Sequence, residues 1–183
     1  GINIYILLAI FIAGASLLAY LIIYVPRFDY IQGRIFSFFN RETGTHNFQS
    51  DKAIESIISG GFFGKGIGEG VLKNRVPEAH TDYIISVISE EFGVVAIMLI
   101  LLLFLILIYM VFKKISFETN DKVKLILIGS ISLILMQATI HVGVNIRLFP
   151  TTGMTLPFLS YGGSSIISTS ILAGIILNLT KRK

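Results

Sequence analysis

The sequence predicts an all-α membrane protein: a polytopic transmembrane helix bundle with a large structured extracytoplasmic loop and a broken, re-entrant segment before the last helix. Composition points there first, with 54% hydrophobic and 14% charged residues among 183 and a mean hydropathy of +0.80. Four apolar runs also reach or approach the ~20 helical residues needed to cross a ~30 Å hydrocarbon core. Finally, Lys and Arg gather on two short hydrophilic segments separated by two of those runs. A formal charge of +4 would suggest nucleic acid for a soluble chain; here its placement matters more than its sum, and no nucleic-acid partner is expected. The absence of cysteine excludes disulfides, Cys-ligated metals and thiol nucleophiles. The chain opens at Gly1 without an initiator Met or a basic leader, so it is expected to be part of a longer protein.

In order, the first span is 2–24, closed by Pro26. The loop 25–82 follows, then a span over 83–112 whose unbroken apolar run is Val94–Phe112. The loop 113–122 carries Lys113, Lys114 and Lys122, with Lys124 just beyond, and the tail 181–183 is Lys-Arg-Lys. Both are placed in the cytoplasm by the positive-inside rule, which puts loops 25–82 and 146–163 outside. The third span is 123–145 and the last is 164–180. Between them Pro150, Gly153, Pro157, Gly162 and Gly163 interrupt an apolar stretch. Broken backbone at membrane depth needs protein or water to satisfy it, hence the re-entrant expectation.

The loop 25–82 is too long to lack structure. Ser50 is placed to cap a helix over Asp51–Ser59 with Ile54, Ile57 and Ile58 on one side, an interfacial amphipathic pattern. Gly60 and Gly61 end it, and Gly64-Lys65-Gly66-Ile67-Gly68-Glu69-Gly70 follows. That run fits no nucleotide-binding fingerprint. It reads either as a lip bringing Lys65 and Lys73 to anionic head groups or as a plain turn.

The chain is organised around residues 77–93, where Glu78, His80, Asp82, Glu90 and Glu91 stand at the mouth of a span. At about 100° per residue Asp82, Ser86, Ser89 and Gly93 share one face, with Glu90 roughly 80° away. So small and polar a face is expected to line a cavity open to the outer surface, with Asp82 as its chemical centre. The competing role for Asp82 is a helix N-cap. On the third span Gln137, His141 and Asn145 repeat at i, i+4 and i+8, with Ser130 deeper. Such a stripe forms either an interhelical hydrogen-bond seam or a substrate cavity. Arg147 at its end suits a phosphate or the interface. Ser160-Tyr161-Gly162-Gly163-Ser164-Ser165 opens the last helix, either as an anion site of free N–H groups and hydroxyls or as a cap with close glycine packing.

The strings PEAHTDY (77–83), EEFG (90–93) and PTTGMTLPFLSYGGSS (150–165), in that order between spans, resemble the C-terminal half of the SEDS family, the FtsW/RodA/SpoVE polymerases of bacterial cell walls. Ala79 and the Thr151–Thr155 stretch resemble the division branch more than the elongation branch. His141 and Arg147 depart from the residue types common there. The resemblance implies a multi-pass inner-membrane peptidoglycan glycosyltransferase that uses lipid II, with Asp82 matching the family's essential aspartate. It also implies a class B penicillin-binding transpeptidase and other divisome membrane proteins as partners.

For such a reaction a sugar hydroxyl must attack an anomeric carbon while a lipid diphosphate leaves. A carboxylate taking the proton, here Asp82, contributes about 10²–10⁴-fold. Charge developing on the diphosphate calls for cations or aimed donors, for which Lys65, Lys73, Arg75, His80 and the Ser160–Ser165 helix start are candidates. Glu78, Glu90, Gln137, His141 and Asn145 complete the expected substrate-contacting set. The lipid tail can stay in the bilayer, so no soluble cofactor is needed. A divalent cation, magnesium or manganese, bridging Asp82, Glu78 or Glu90 to diphosphate is the one cofactor this chemistry admits. A lipid II flippase or transporter, an elongation-type (RodA-like) polymerase and a noncatalytic scaffold for the transpeptidase are the alternative functions.

Overall fold

A computed structural model describes residues 3–39, 45–76 and 79–181, apart from the side chains of 45–47 and 73. Among these residues every regular element is a helix, and four helices are long and apolar enough to cross a membrane. The protein is thus an all-α polytopic membrane protein. The chain divides into two units, residues 1–47 and 48–183.

The first unit holds α1 (Ile4–Tyr24), a 3-10 turn (Pro26–Phe28) and α2 (Asp29–Phe39). Asn3 caps α1 by accepting the Tyr5 N–H at 3.1 Å. No residue of α1 is buried, and an all-round apolar helix of 21 residues belongs in lipid. It ends where Val25 turns extended before Pro26, which cannot continue the ladder.

The second unit takes most of α3 (Thr45–Gly60), then α4 (Leu72–Arg75), α5 (Ile84–Phe117), α6 (Asp121–Asn145) and α7 (Gly163–Lys181). Helices α5, α6 and α7 run up, down and up. α5 continues five residues past the expected 112 and α6 starts at Asp121, leaving only Glu118–Asn120 to join them. That turn is tight because its side chains satisfy it. Asn120 accepts the Lys122 N–H, while Glu118 accepts the N–H groups of Thr119 and Asn120 and pairs with Lys114. The Asn120 N–H bond and the Lys114 ammonium hold the Glu118 carboxyl below the usual carboxylate range.

At this end of the bundle Val111, Leu127, Ile131, Ile134 and Ile176 form a buried apolar cluster drawn from all three helices. At the other end lies a second cluster of Ala53, Leu72, Val76, Ala79, Tyr83, Val87 and Val144. It joins α3 and α4 to the start of α5 and the end of α6. A third, of Ile85, Ala138 and Leu156, lies between the two and includes the broken segment before α7.

The expectation for α3 needs correcting. Ser50 lies inside the helix, not at its start, and the buried face is Ser50, Ala53, Ser56 and Gly60, with Ile58 exposed. Small residues are required because α5 is very close. A Cβ on Gly60 would come 2.0 Å from the Ser89 carbonyl oxygen.

Candidate functional site

Asp82 sits one residue before the N-cap position of α5, which is Tyr83. Three successive carbonyls fix the backbone around it. The His80 carbonyl accepts the Tyr161 N–H at 3.2 Å, that of Thr81 accepts the Ser160 hydroxyl at 2.8 Å, and that of Asp82 accepts the Asn145 amide at 3.0 Å. The segment bearing the carboxylate is thus clamped between the end of α6 and the broken segment before α7. Next door, Tyr83 is buried in the α3–α4 cluster with its hydroxyl 3.4 Å from that of Ser50. The half-buried Asp82 carboxylate points toward Gly153, where an added Cβ would stand 3.6 Å from Oδ2. Gly153 has φ +72°, a conformation L side chains resist. A side chain at position 153 would therefore crowd the carboxylate.

The cavity-lining face expected of Ser86, Ser89 and Gly93 is not open. Ser86 and Ser89 are fully buried, and Ser86 gives its hydroxyl to Asn145 Oδ1 at 2.7 Å and its N–H to the same oxygen at 3.2 Å. Gly93 is covered by the Phe62 carbonyl, 2.2 Å from where its Cβ would be. The face is small and polar as its residues suggest, but protein fills it: Asn145 of α6 at Ser86, α3 at Ser89 and the glycine-rich loop at Gly93.

Glu90 is buried in the same way. One oxygen takes the Lys65 ammonium at 2.9 Å, and the other accepts the N–H groups of Val71 and Leu72 at 3.0 Å each. Both oxygens are therefore committed to the loop. Of the other residues named from sequence, Arg75 and His80 are exposed at the Asp82 end. Glu78 and the Lys73 side chain lie outside the described residues. Among the described residues no three His, Asp or Glu side chains gather to hold a metal ion.

The α6 stripe forms a seam. Gln137 Nε2 donates to the Thr155 carbonyl, the Thr155 hydroxyl and the Ser165 hydroxyl at 2.9–3.1 Å. His141 Nδ1 donates to the Met154 carbonyl at 2.7 Å, and Asn145 also donates to the His141 carbonyl. Arg147 turns into a left-handed conformation at the end of α6 (φ +60°) and pairs with Asp51. Around α7, Ser160 is buried and supports Leu156 as well as Thr81. Thr155 donates to Ser165, Gly162 packs on Thr155, and Gly163 and Ser164 are exposed. Gly153, Met154 and Thr155 escaped the sequence reading as site residues. The left-handed glycine inside an apolar stretch was the only signal for them.

Beside this assembly an apolar groove of about 410 Å³ runs between α5 and α6. Ile85, one turn from Asp82, and Leu156, three residues past Gly153, line its near end; Phe104 and Ile108 line its far end. Its size is that of a small-molecule site, and its lining suits hydrocarbon.

Over its full length, residues 1–183, the chain matches the family model described as "Cell cycle protein" of the FtsW/RodA/SpoVE type. It is 39% identical over 137 residues to the probable peptidoglycan glycosyltransferase FtsW of Enterococcus hirae, covering 74% of this chain and 34% of that protein. The protein of the same description from Caulobacter vibrioides is 38% identical over 158 residues, 85% of this chain and 40% of the relative. That from Trichlorobacter lovleyi is 37% identical over 177 residues, 93% and 46%. The chain therefore spans less than half the length of these curated relatives. A solved structure described as "Structural coordination of polymerization and crosslinking by a peptidoglycan synthase complex" aligns with a TM-score of 0.70 at 28% identity, covering 95% of this chain and 47% of that one.

Proposed function

Because the chain belongs to the FtsW/RodA/SpoVE family of cell cycle proteins, we propose that the protein it forms part of polymerises lipid II into septal glycan strands, with Asp82 as general base on the extracytoplasmic side. The observation that carries this reading is the triple clamp on His80, Thr81 and Asp82. It holds this carboxylate at the end of a bundle, beside Gly153 and near the mouth of an apolar groove.

In the reaction Asp82 takes the proton of the acceptor sugar's 4-hydroxyl as that oxygen attacks the donor's anomeric carbon. The configuration inverts, and undecaprenyl diphosphate leaves. A carboxylate ionised at neutral pH needs little tuning for this task. Arg75, His80 and the exposed N-terminal turn of α7 are the donors best placed for the leaving diphosphate, since Lys65 is committed to Glu90. The α5–α6 groove receives the polyprenyl chain, so the sugars meet at the aqueous rim while the tail stays in hydrocarbon. A class B penicillin-binding transpeptidase, crosslinking the strands as they emerge, is the partner this product requires. The orientation with α7 ending in the cytoplasm rests on Lys113, Lys114, Lys122, Lys124 and Lys181 standing at the end of the bundle opposite Asp82.

Transport is the weaker reading because the polar stripe on α6 is spent on hydrogen bonds within the bundle. The test is polymerisation of lipid II supplied on the extracytoplasmic side by the full-length protein with its transpeptidase, comparing wild type with D82N. Undiminished glycan synthesis by a folded D82N protein would remove Asp82 from the chemistry.

A further inference from the structure

The glycine-rich loop after α3 is more than a covering for the start of α5. At Gly93 the helix α5 departs from helical geometry (φ +79°, ψ −178°), which frees backbone groups on either side of the break. The loop takes them up. Lys65 N–H donates to the Glu90 carbonyl at 2.8 Å and Gly66 N–H to that of Glu91 at 3.0 Å. In return the carbonyls of Gly61 and Phe62 accept the N–H groups of Val94 and Val95 at 2.9 and 3.3 Å. Glycine is needed on both sides of this seat. An added Cβ would lie 2.1 Å from the Glu91 carbonyl oxygen at Gly64 and 2.2 Å from that of Phe62 at Gly93.

This seat fixes the depth of the loop. Val94 is the first residue of the unbroken apolar run of α5, so Phe62 is bonded where the hydrocarbon-facing part of the helix begins. Yet Phe62, Phe63 and Ile67 are 76, 86 and 78% exposed. Three large apolar side chains at that level are costly in water and favourable in lipid. Their surroundings continue the exposed apolar side of α5, where Phe92, Val95, Met98 and Leu99 are also exposed. The loop's polar member, Lys65, folds the other way, toward Glu90.

We infer that residues 61–67 form a membrane-insertion loop, with Phe62, Phe63 and Ile67 seated at the boundary between head groups and acyl chains of the leaflet on the Asp82 side. The occupant of this patch is the bilayer itself, because the patch is continuous with the exposed apolar side of a helix long and apolar enough to cross it. The inference does not depend on Asp82 being the general base.

A nitroxide label on F63C in the full-length protein, reconstituted in phosphatidylethanolamine–phosphatidylglycerol bilayers, tests it. This chain brings no native cysteine, and any in the rest of the protein are first replaced by serine. Labels on M98C and E69C supply the lipid and aqueous references. The expected result is several-fold stronger collision with oxygen than with a water-soluble nickel chelate at Phe63, as at Met98 and opposite to Glu69. Nickel access matching Glu69 would overturn the proposal. Shielding from both reagents would do so too, since protein, whether other spans or a partner, would then cover the patch. With G93A added, the Phe63 label is expected to shift toward nickel access; an unchanged label would refute the seat as what sets the depth. The Phe63 reading in the otherwise unaltered protein decides lipid contact even if G93A fails to fold.

Discussion

The two ends of the α5–α7 bundle are joined by different kinds of force. At the basic end, Val111, Leu127, Ile131, Ile134 and Ile176 meet as plain aliphatic knobs, and side-chain hydrogen bonds close the Glu118–Asn120 turn beside them. At the Asp82 end, hydrogen bonds to carbonyls from Tyr161, Ser160, Asn145 and His141 do the joining, and aliphatic packing is relegated to the flank shared with α3 and α4. Dispersion between apolar helices is nondirectional and tolerates small slides. Hydrogen bonds to successive carbonyls fix a backbone position to within a few tenths of an ångström. The difference teaches that this protein spends its polar groups where one side chain must be held still.

Substitutions can separate the two. The largest effect is expected from D82N, a loss of about 10²–10⁴-fold in lipid II polymerisation with unchanged thermal stability. A fall in stability matching the fall in rate would mean that the residue holds structure only. L127A at the opposite end is expected to cost about 2–5 kcal/mol of stability. The rate per folded molecule should stay unchanged, measured on protein that survives detergent extraction; a rate loss there would deny the ends their separate roles. E90A removes the acceptor for Val71 and Leu72 N–H and the partner of Lys65, so roughly 1.5–3 kcal/mol should disappear from the unfolding free energy. N145D keeps the acceptor for Ser86 but removes the donor to the Asp82 carbonyl. A stability change of about 1–3 kcal/mol should come with a rate loss smaller than that of D82N. Least of all, R147G gives up an exposed ion pair with Asp51 worth about 0.2–1 kcal/mol. It also relieves a left-handed backbone that costs a non-glycine residue about 1–2 kcal/mol but adds about 0.5–1 kcal/mol of chain freedom to lose on folding, so the terms nearly offset and the midpoint of unfolding should barely move.

The sequence made some of this site legible. Asn145 and His141 stand out because polar side chains are rare in apolar helices, Asp82 because it stands at the mouth of a span, and all three lie in one assembly. It misled where two outcomes share one pattern. A small polar face on α5 reads the same whether it faces water or a returning backbone, so the burial of Ser86, Ser89 and Glu90 was not foreseen. Ser50 reads as a cap because caps and small-residue packing faces use the same amino acids. Gly153 could be seen to break a helix, but its place beside a carboxylate 71 positions earlier could not.

By itself the sequence determined the four apolar helices, their order, the grouping of charge at one end and the family, because hydrophobic runs and motif strings are local and survive without contacts. The tertiary structure alone decided which polar groups are spent on each other and which side chains are brought together around Asp82. A carbonyl, a glycine or a serine acquires its role only from what folding brings to within 3 Å of it.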